Sequence, residues 1–220
     1  DPERQLAFFD RHQYLDFIIL DGGEEPFSEL ITWWAEGSND KTHLPQNVIW
    51  RNGKKILSSG MRPPIKKTIE GIPSPYLCGH LDEFLDAGMV PIFETNRGCP
   101  YKCTFCSWGS AAKDRVGRFD LETAFKEIDY VGQRTQAKNW IIADANFGIL
   151  KRDIDIVKKA AKIKNKTGFP QRLSVFNTKN VTERAYTVQK ILSDSGLHKG
   201  VDIAFQSLDP NTLDNIKRSN

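Results

Sequence analysis

From about Val90 onward, short apolar runs alternate with segments whose apolar residues recur every three or four positions. Val90-Pro91-Ile92-Phe93-Glu94 predicts a strand. Asp120 stands as an N-cap, and Leu121, Ala124, Phe125, Ile128 and Val131 follow at helical spacing. Trp140-Ile141-Ile142-Ala143 is continuous and apolar, as a strand buried on both faces is. A helix from about Arg152 carries Ile154, Val157, Ala160, Ala161 and Ile163 on one face, and Gly168 and Pro170 end it. Leu173-Ser174-Val175-Phe176 is a third strand. A helix from near Thr182 turns Ala185, Val188, Ile191 and Leu192 inward and stops at Gly196. Val201-Asp202-Ile203-Ala204-Phe205 is a fourth strand, and Asp209-Pro210 opens a short helix through Leu213 and Ile216. Four successive βα units imply an α/β fold with a parallel sheet and right-handed crossovers.

The N-terminal part has a different pattern. Asp16-Phe17-Ile18-Ile19-Leu20 predicts a strand, residues 21–26 a turn and residues 27–35 a helix. A lone βα unit cannot bury its own apolar face, so it calls for a further packing partner. Residues 48–57 read as a hairpin turning at Asn52-Gly53. Pro63-Pro64 and Pro73-Ser74-Pro75 mark extended connector.

Bulk properties narrow the class. The 220 residues allow one large domain, or one domain and a fragment. No apolar run approaches the roughly 20 residues that span a bilayer, so no membrane is expected. With 31 basic against 28 acidic residues the net charge is +3, too balanced for a nucleic-acid footprint. Three of the four cysteines lie in one short stretch without a secretory leader beside them, a usage that points to metal ligands in the cytoplasm rather than disulfides.

That stretch is Gly98-Cys99-Pro100-Tyr101-Lys102-Cys103-Thr104-Phe105-Cys106. Its C-x3-C-x2-C spacing offers three thiolates and withholds a fourth, whereas closed zinc and iron–sulfur sites take four protein ligands. Two other readings use the same residues. A zinc site completed by Cys78 or His80 would make the chain a zinc-stabilised binding module. A four-cysteine cluster including Cys78 would make it an electron carrier. Zinc normally takes a second ligand pair, and ferredoxins a tighter cysteine run.

The segment Glu94-Thr95-Asn96-Arg97-Gly98-Cys99-Pro100-Tyr101-Lys102-Cys103-Thr104-Phe105-Cys106-Ser107-Trp108-Gly109 resembles the cluster loop of radical S-adenosylmethionine (SAM) enzymes, and within them the branch with an N-terminal cobalamin-binding domain. The resemblance implies a [4Fe-4S] cluster on Cys99, Cys103 and Cys106. One iron would be left to SAM, and reductive cleavage of SAM would give a 5′-deoxyadenosyl radical. Phe105 would lie near the adenine. The resemblance further implies a partial (βα) barrel, of which residues 90–220 would be the first four units and therefore truncated. Residues 1–44 would be the last βα unit of a Rossmann-like cobalamin-binding domain and residues 45–89 a linker. Cobalamin in a longer parent, methyl transfer to a small-molecule substrate, and a reductant such as flavodoxin or ferredoxin follow from the same likeness.

If ligands gather at the C-terminal edge of the sheet, Asp144 and Asn146 stand where the family holds the amino group of SAM. The Gly-Gly-Glu type of segment found there in many members is missing, and an Asx turn capping the next helix fits the same two residues. Asn177, Thr178 and Lys179 follow the third strand. Gln206 and Ser207 resemble ribose-contacting positions, and the Arg218 fork suits the methionyl carboxylate. Cys78 reads as a buried structural thiol, and Trp108 as packing that shields the cluster. The lysines between 151 and 166 read as the solvated face of their helix.

Overall fold

The computed structural model describes residues 2–62, 68–106, 115–180, 182–198, 200 and 205–218. Two compact units divide the chain, residues 1–64 and 65–220.

In the first unit, helix α1 (Pro2–Arg11) precedes strand β1 (Phe17–Ile19), helix α2 (Glu24–Ala35), a 3₁₀ turn (Lys41–His43) and the hairpin β2 (Val48–Asn52) and β3 (Lys55–Ser58). The strands form one antiparallel sheet in the order β1-β2-β3. Residues 48–50, expected in a linker, thus pair with β1, and 55–58 pair with β2. The sequence reading began α2 at Phe27; it begins at Glu24, because the first turn tolerates Pro26, whose missing N–H would have no helical acceptor there. The hairpin turns at Gly53-Lys54, one residue later than the Asn-Gly signal placed it. A small core of Leu30, Leu44, Val48 and Trp50 holds the unit. Phe27, Ile31 and Trp34 form an exposed apolar stripe along α2.

The second unit is built on β4 (Ile92–Phe93), β7 (Asn139–Phe147) and β8 (Arg172–Asn177), parallel throughout and ordered β4-β7-β8. Between them run β5 (Asn96–Arg97), β6 (Gly117–Arg118), helix α4 (Leu121–Arg134) and helix α5 (Asp153–Thr167). Helix α3 (Asp82–Asp86) precedes β4, and α6 (Glu183–Asp194) and α7 (Pro210–Asn215) follow β8. Asp120, Thr182 and Asp209 cap α4, α6 and α7 by accepting from the backbone N–H of Thr123, Ala185 and Thr212, three of the orphan donors that a helix start leaves. Of the expected fourth strand, residues 201–204 lie outside the described residues, and Phe205 leads into α7 without regular structure.

The sheet face toward α4, α5 and α6 is the core: Phe93, Trp140, Ile142 and Leu173 meet Ile128, Val131, Ile156, Val157, Ala160, Ile163, Val188 and Leu192. Gly132 permits this packing, since a Cβ there would lie 2.4 Å from the Ile163 Cγ2. Strand β7 outruns the predicted residues 140–143. Its register to β8 holds from Asn139↔Arg172 to Ile142↔Val175 and resumes at Phe147↔Asn177, so five steps on β7 match two on β8. The intervening bulge carries Asp144 and Asn146 at the C-terminal edge of the sheet.

Candidate functional site

The cysteine loop grows from the C-terminal end of β4. Its two arms are zipped together, Asn96 opposite Arg118 and Arg97 opposite Gly117. Phe119 N–H donates to the Thr95 carbonyl at 3.1 Å. Arg97 on the entering arm grips Glu94 through Nε (2.9 Å) and Nη2 (2.6 Å), and its guanidinium lies 5.5 Å from the centre of the Phe119 ring on the leaving arm.

Behind this stalk lies a buried polar cluster. Asp144 Oδ1 accepts from the Thr95 N–H (2.6 Å) and the Asn96 N–H (3.0 Å), and Oδ2 accepts from Thr95 Oγ1 (2.5 Å) and Asn96 Nδ2 (2.7 Å). Arg152, at the start of α5, reaches both arms, donating to the carbonyls of Phe119 and of Thr95. Asp153 accepts from the N–H groups of Gly148 (2.8 Å) and Leu150 (2.9 Å), which orders the β7–α5 turn. Burial pushes the Asp144 carboxyl up to about 7 against the pull of the Thr95 hydroxyl and the Asn96 and Thr95 N–H groups, and pushes Asp153 up to about 6.

Gly98 starts the loop proper at φ +106, where a Cβ would sit 1.9 Å from the Arg115 carbonyl oxygen; only glycine passes. Cys99 and Cys103 are buried, Cys106 is half-buried, and all three thiols are free. The Cys106 N–H donates to the Cys103 carbonyl at 3.1 Å, a tight turn that keeps two of the sulfur-bearing residues together. The far side of the loop is held too. Tyr101 hydroxyl meets Thr178 Oγ1 at 3.3 Å, and the Thr104 N–H donates to the Ile216 carbonyl at the end of α7 at 3.1 Å.

A [4Fe-4S] cluster takes thiolates, and three free thiols on one anchored loop are the donor chemistry it needs. Among the described residues no three His, Cys, Asp or Glu side chains are gathered to hold a single metal ion. Cys78, expected buried, is exposed. The turn that holds it is anchored by Tyr76, whose hydroxyl bonds both the N–H and the carbonyl of Ile92 at 2.9 Å; Tyr76 takes the buried place and Cys78 faces out.

The other sequence candidates fall into three groups. Phe105 lies on the loop and is 57% exposed. Asp144 is buried and turned to Thr95 and Asn96, and the turn before α5 is ordered by Asp153, so neither the SAM-amine reading nor the capping reading describes what its oxygens touch. Asn146 is fully buried, and neither amide atom has a hydrogen-bond partner among the described residues; such a group costs about 1–3 kcal/mol unless water or a ligand completes it. Gln206 is exposed and Ser207 half-buried before α7, where Ser207 Oγ accepts from the Asp209 N–H at 3.1 Å. Arg218 is buried, and its Nη2 lies 3.5 Å from the Lys179 carbonyl. Lys179 in turn donates to the Ala145 carbonyl at 3.3 Å, so Arg218 joins the edge that carries the bulge. Trp108 lies outside the described residues. Thr95, Asn96, Arg152 and Asp153 escaped the sequence reading; the polar run 94–97, directly after an apolar strand, was the available signal.

The family description "Radical SAM superfamily" matches residues 93–220. The chain belongs to the radical SAM superfamily. It is 35% identical, over an alignment of 225 residues, to the 2-(S-pantetheinyl)-carbapenam-3-carboxylate methyltransferase of Streptantibioticus cattleyicolor, covering all of this chain and 33% of that protein. To the cobalamin-dependent radical SAM methyltransferase TokK of Streptomyces tokunonensis it is 33% identical, with the same coverage. The chain thus spans about a third of the length of these curated relatives. Among solved structures, the radical SAM methyltransferase TsrM of Kitasatospora setae, with cobalamin and a [4Fe-4S] cluster bound, superposes with a TM-score of 0.71 at 18% identity, covering 98% of this chain and 43% of that one. That likeness establishes the fold.

Proposed function

We propose that Cys99, Cys103 and Cys106 hold a [4Fe-4S] cluster that binds SAM, and that the protein is a cobalamin-dependent radical SAM methyltransferase acting on a small molecule. The observation that carries this reading is the loop itself: three free thiols at the C-terminal edge of a parallel sheet, with both arms clamped. When bound, the cluster supplies the electron that cleaves SAM; the chain's own residues orient and enclose. Phe105 offers an uncovered aromatic face for the adenine. Asn146 has an amide without a partner among the described residues at the same edge, and Gln206, Ser207 and Arg218 supply polar groups for the ribose and carboxylate of SAM.

The printed names of both curated relatives support methyl transfer, and one of them names cobalamin. On this reading the first unit is the tail of a cobalamin-binding domain with its linker. The apolar stripe Phe27, Ile31 and Trp34 on α2 supports that, since such a face is usually covered. A one-electron reductant such as flavodoxin or ferredoxin and a cytoplasmic setting complete the proposal. No described helix is long and apolar enough to cross a membrane.

Anaerobic reconstitution tests it. About four irons per chain, with an electron paramagnetic resonance (EPR) signal that changes when SAM is added, is the expected result. Fewer than about three irons, or a signal indifferent to SAM, would overturn it.

A further inference from the structure

We propose that Asp144 is a positioning residue for the cysteine loop: its carboxylate fixes Thr95 and Asn96 and thereby sets where Cys99, three residues further on, presents its sulfur. This rests on the reading that the loop holds a cluster, and it gives Asp144 a role other than direct contact with SAM.

The argument is geometric. The four donors on Asp144 come from two consecutive residues, two from their backbone and two from their side chains. Together they fix both the path of the chain and the side-chain rotamers at 95 and 96. Thr95 leads into the zipped base of the loop and Asn96 opens it, opposite Arg118. The carboxylate itself sits on the bulged end of β7, whose first half is locked into the apolar core, so the clamp is referred to a rigid element rather than to another loop. Arg152 holds the same base from α5 and spans both arms. Gly98 follows at once with no freedom to shift, since its backbone passes against Arg115. A displacement at Thr95 is therefore handed on to Cys99 instead of being absorbed. Asp144 is 1% exposed and both of its oxygens already have protein donors, so its own hydrogen bonding is satisfied without any ligand. That completeness is what a positioning role requires and a ligand contact does not.

The test uses the full chain, anaerobically reconstituted, as wild type, Asp144→Ala, Asp144→Asn, Thr95→Val and Thr95→Ser. Each is measured for circular dichroism, for iron and sulfide content, and for the EPR signal of the reduced cluster with and without SAM. The 144 variants are expected to keep their helical signal and lose at least threefold in bound iron. The clusters that still assemble should show a weakened or altered response to SAM. Thr95→Val, which deletes one donor, should show the same altered response in milder form, and Thr95→Ser, which keeps the hydroxyl, should restore it. A merely structural role predicts instead that iron falls only in proportion to unfolded chain while the assembled clusters answer SAM as wild type does; that result overturns the inference. So does Thr95→Val matching wild type throughout, which decides the matter even where Asp144→Ala does not fold. A wild-type chain that binds no cluster fells the cluster reading and this inference with it, whereas a wild type that loads normally beside indifferent variants fells this inference alone.

Discussion

Trp140 and Ile142, in the first half of β7, are as deeply buried as Asp144 and Asn146 in the second, with exposures of 0–1%. The first pair is held by Phe93 and by the apolar faces of α4 and α5. In the second, Asp144 accepts four bonds, while the Asn146 amide finds no partner among the described residues. Apolar burial is non-directional and scales with area, so the first half supplies stability and tolerates small shifts. Hydrogen bonds fix direction, and a buried polar network is costly when incomplete, so the second half supplies position. One strand thus anchors in the core at one end and aims a loop at the other, as expected where ligands gather at the C-terminal edge of parallel strands.

The sharpest way to break this comparison is to damage the apolar half. Trp140→Ala should cost about 3–5 kcal/mol, the usual range for emptying a large buried site, read from the midpoint of chemical denaturation. Thr95→Val, at the polar end, should cost only about 1 kcal/mol, the net worth of one hydrogen bond. If the two variants lost equal stability, the division of labour along β7 would be wrong.

Gly98→Ala comes next and separates position from stability. A Cβ would collide with the Arg115 carbonyl, and φ +106 disfavours any side chain. Strain of this kind costs about 1–3 kcal/mol. Because it falls in the loop, the expected signature is severalfold loss of bound iron with a global unfolding midpoint lowered far less than by Trp140→Ala. Normal iron binding in this variant would show that the loop bends more freely than its clamps imply.

Asp153 probes the electrostatics of the polar half. Its folded pKa, raised by burial from 3.8 to about 6, means that the folded state holds the proton more tightly than the unfolded chain. The stability this contributes is fully present below about pH 4 and is lost as pH rises through about 6. A shift of this size corresponds to about 3 kcal/mol. Asp153→Asn keeps an oxygen for the Gly148 and Leu150 N–H groups and does not ionise. The stability of the variant should therefore fall less than that of wild type between pH 4 and pH 8, with Asp144, raised to about 7 in the same sense, leaving a residual slope in both. Parallel pH profiles for the two proteins would refute the assignment.

The same contrast explains which features were legible in the sequence. Caps at Asp120, Thr182 and Asp209 act on N–H groups within three residues, and the cysteines share eight consecutive positions, so local pattern carries both. The core helices were legible from apolar spacing because α4, α5 and α6 each bury one face. The length of β7 was not. Asp144 and Asn146 look like a strand's end until Thr95 and Asn96, 49 and 48 residues away from Asp144, are seen to bond it. Polar residues buried by distant partners leave no periodic trace, and the clamp of Asp144 and Arg152 is made entirely of such pairs. In the first unit, β1 and the β2–β3 hairpin were each visible, while their antiparallel pairing across residues 20–47 was not.

The smallest expected effect belongs to Cys78. Its thiol is exposed in the turn before α3, outside the loop that both halves of β7 serve. An exposed side chain away from any cap or ion pair changes stability by about 0.5 kcal/mol or less when shortened, so Cys78→Ala should unfold with wild type. Its value lies in the iron assay. A three-thiol site does not use this sulfur, and iron, sulfide and the response to SAM should all be unchanged. A four-cysteine electron carrier needs it, and there the same substitution abolishes the cluster while Cys99, Cys103 and Cys106 remain intact. Loss of iron in Cys78→Ala would thus close the coordination shell with a fourth thiolate and leave no iron for SAM; the polar half of β7 would then be holding a redox relay in place instead of a reaction centre.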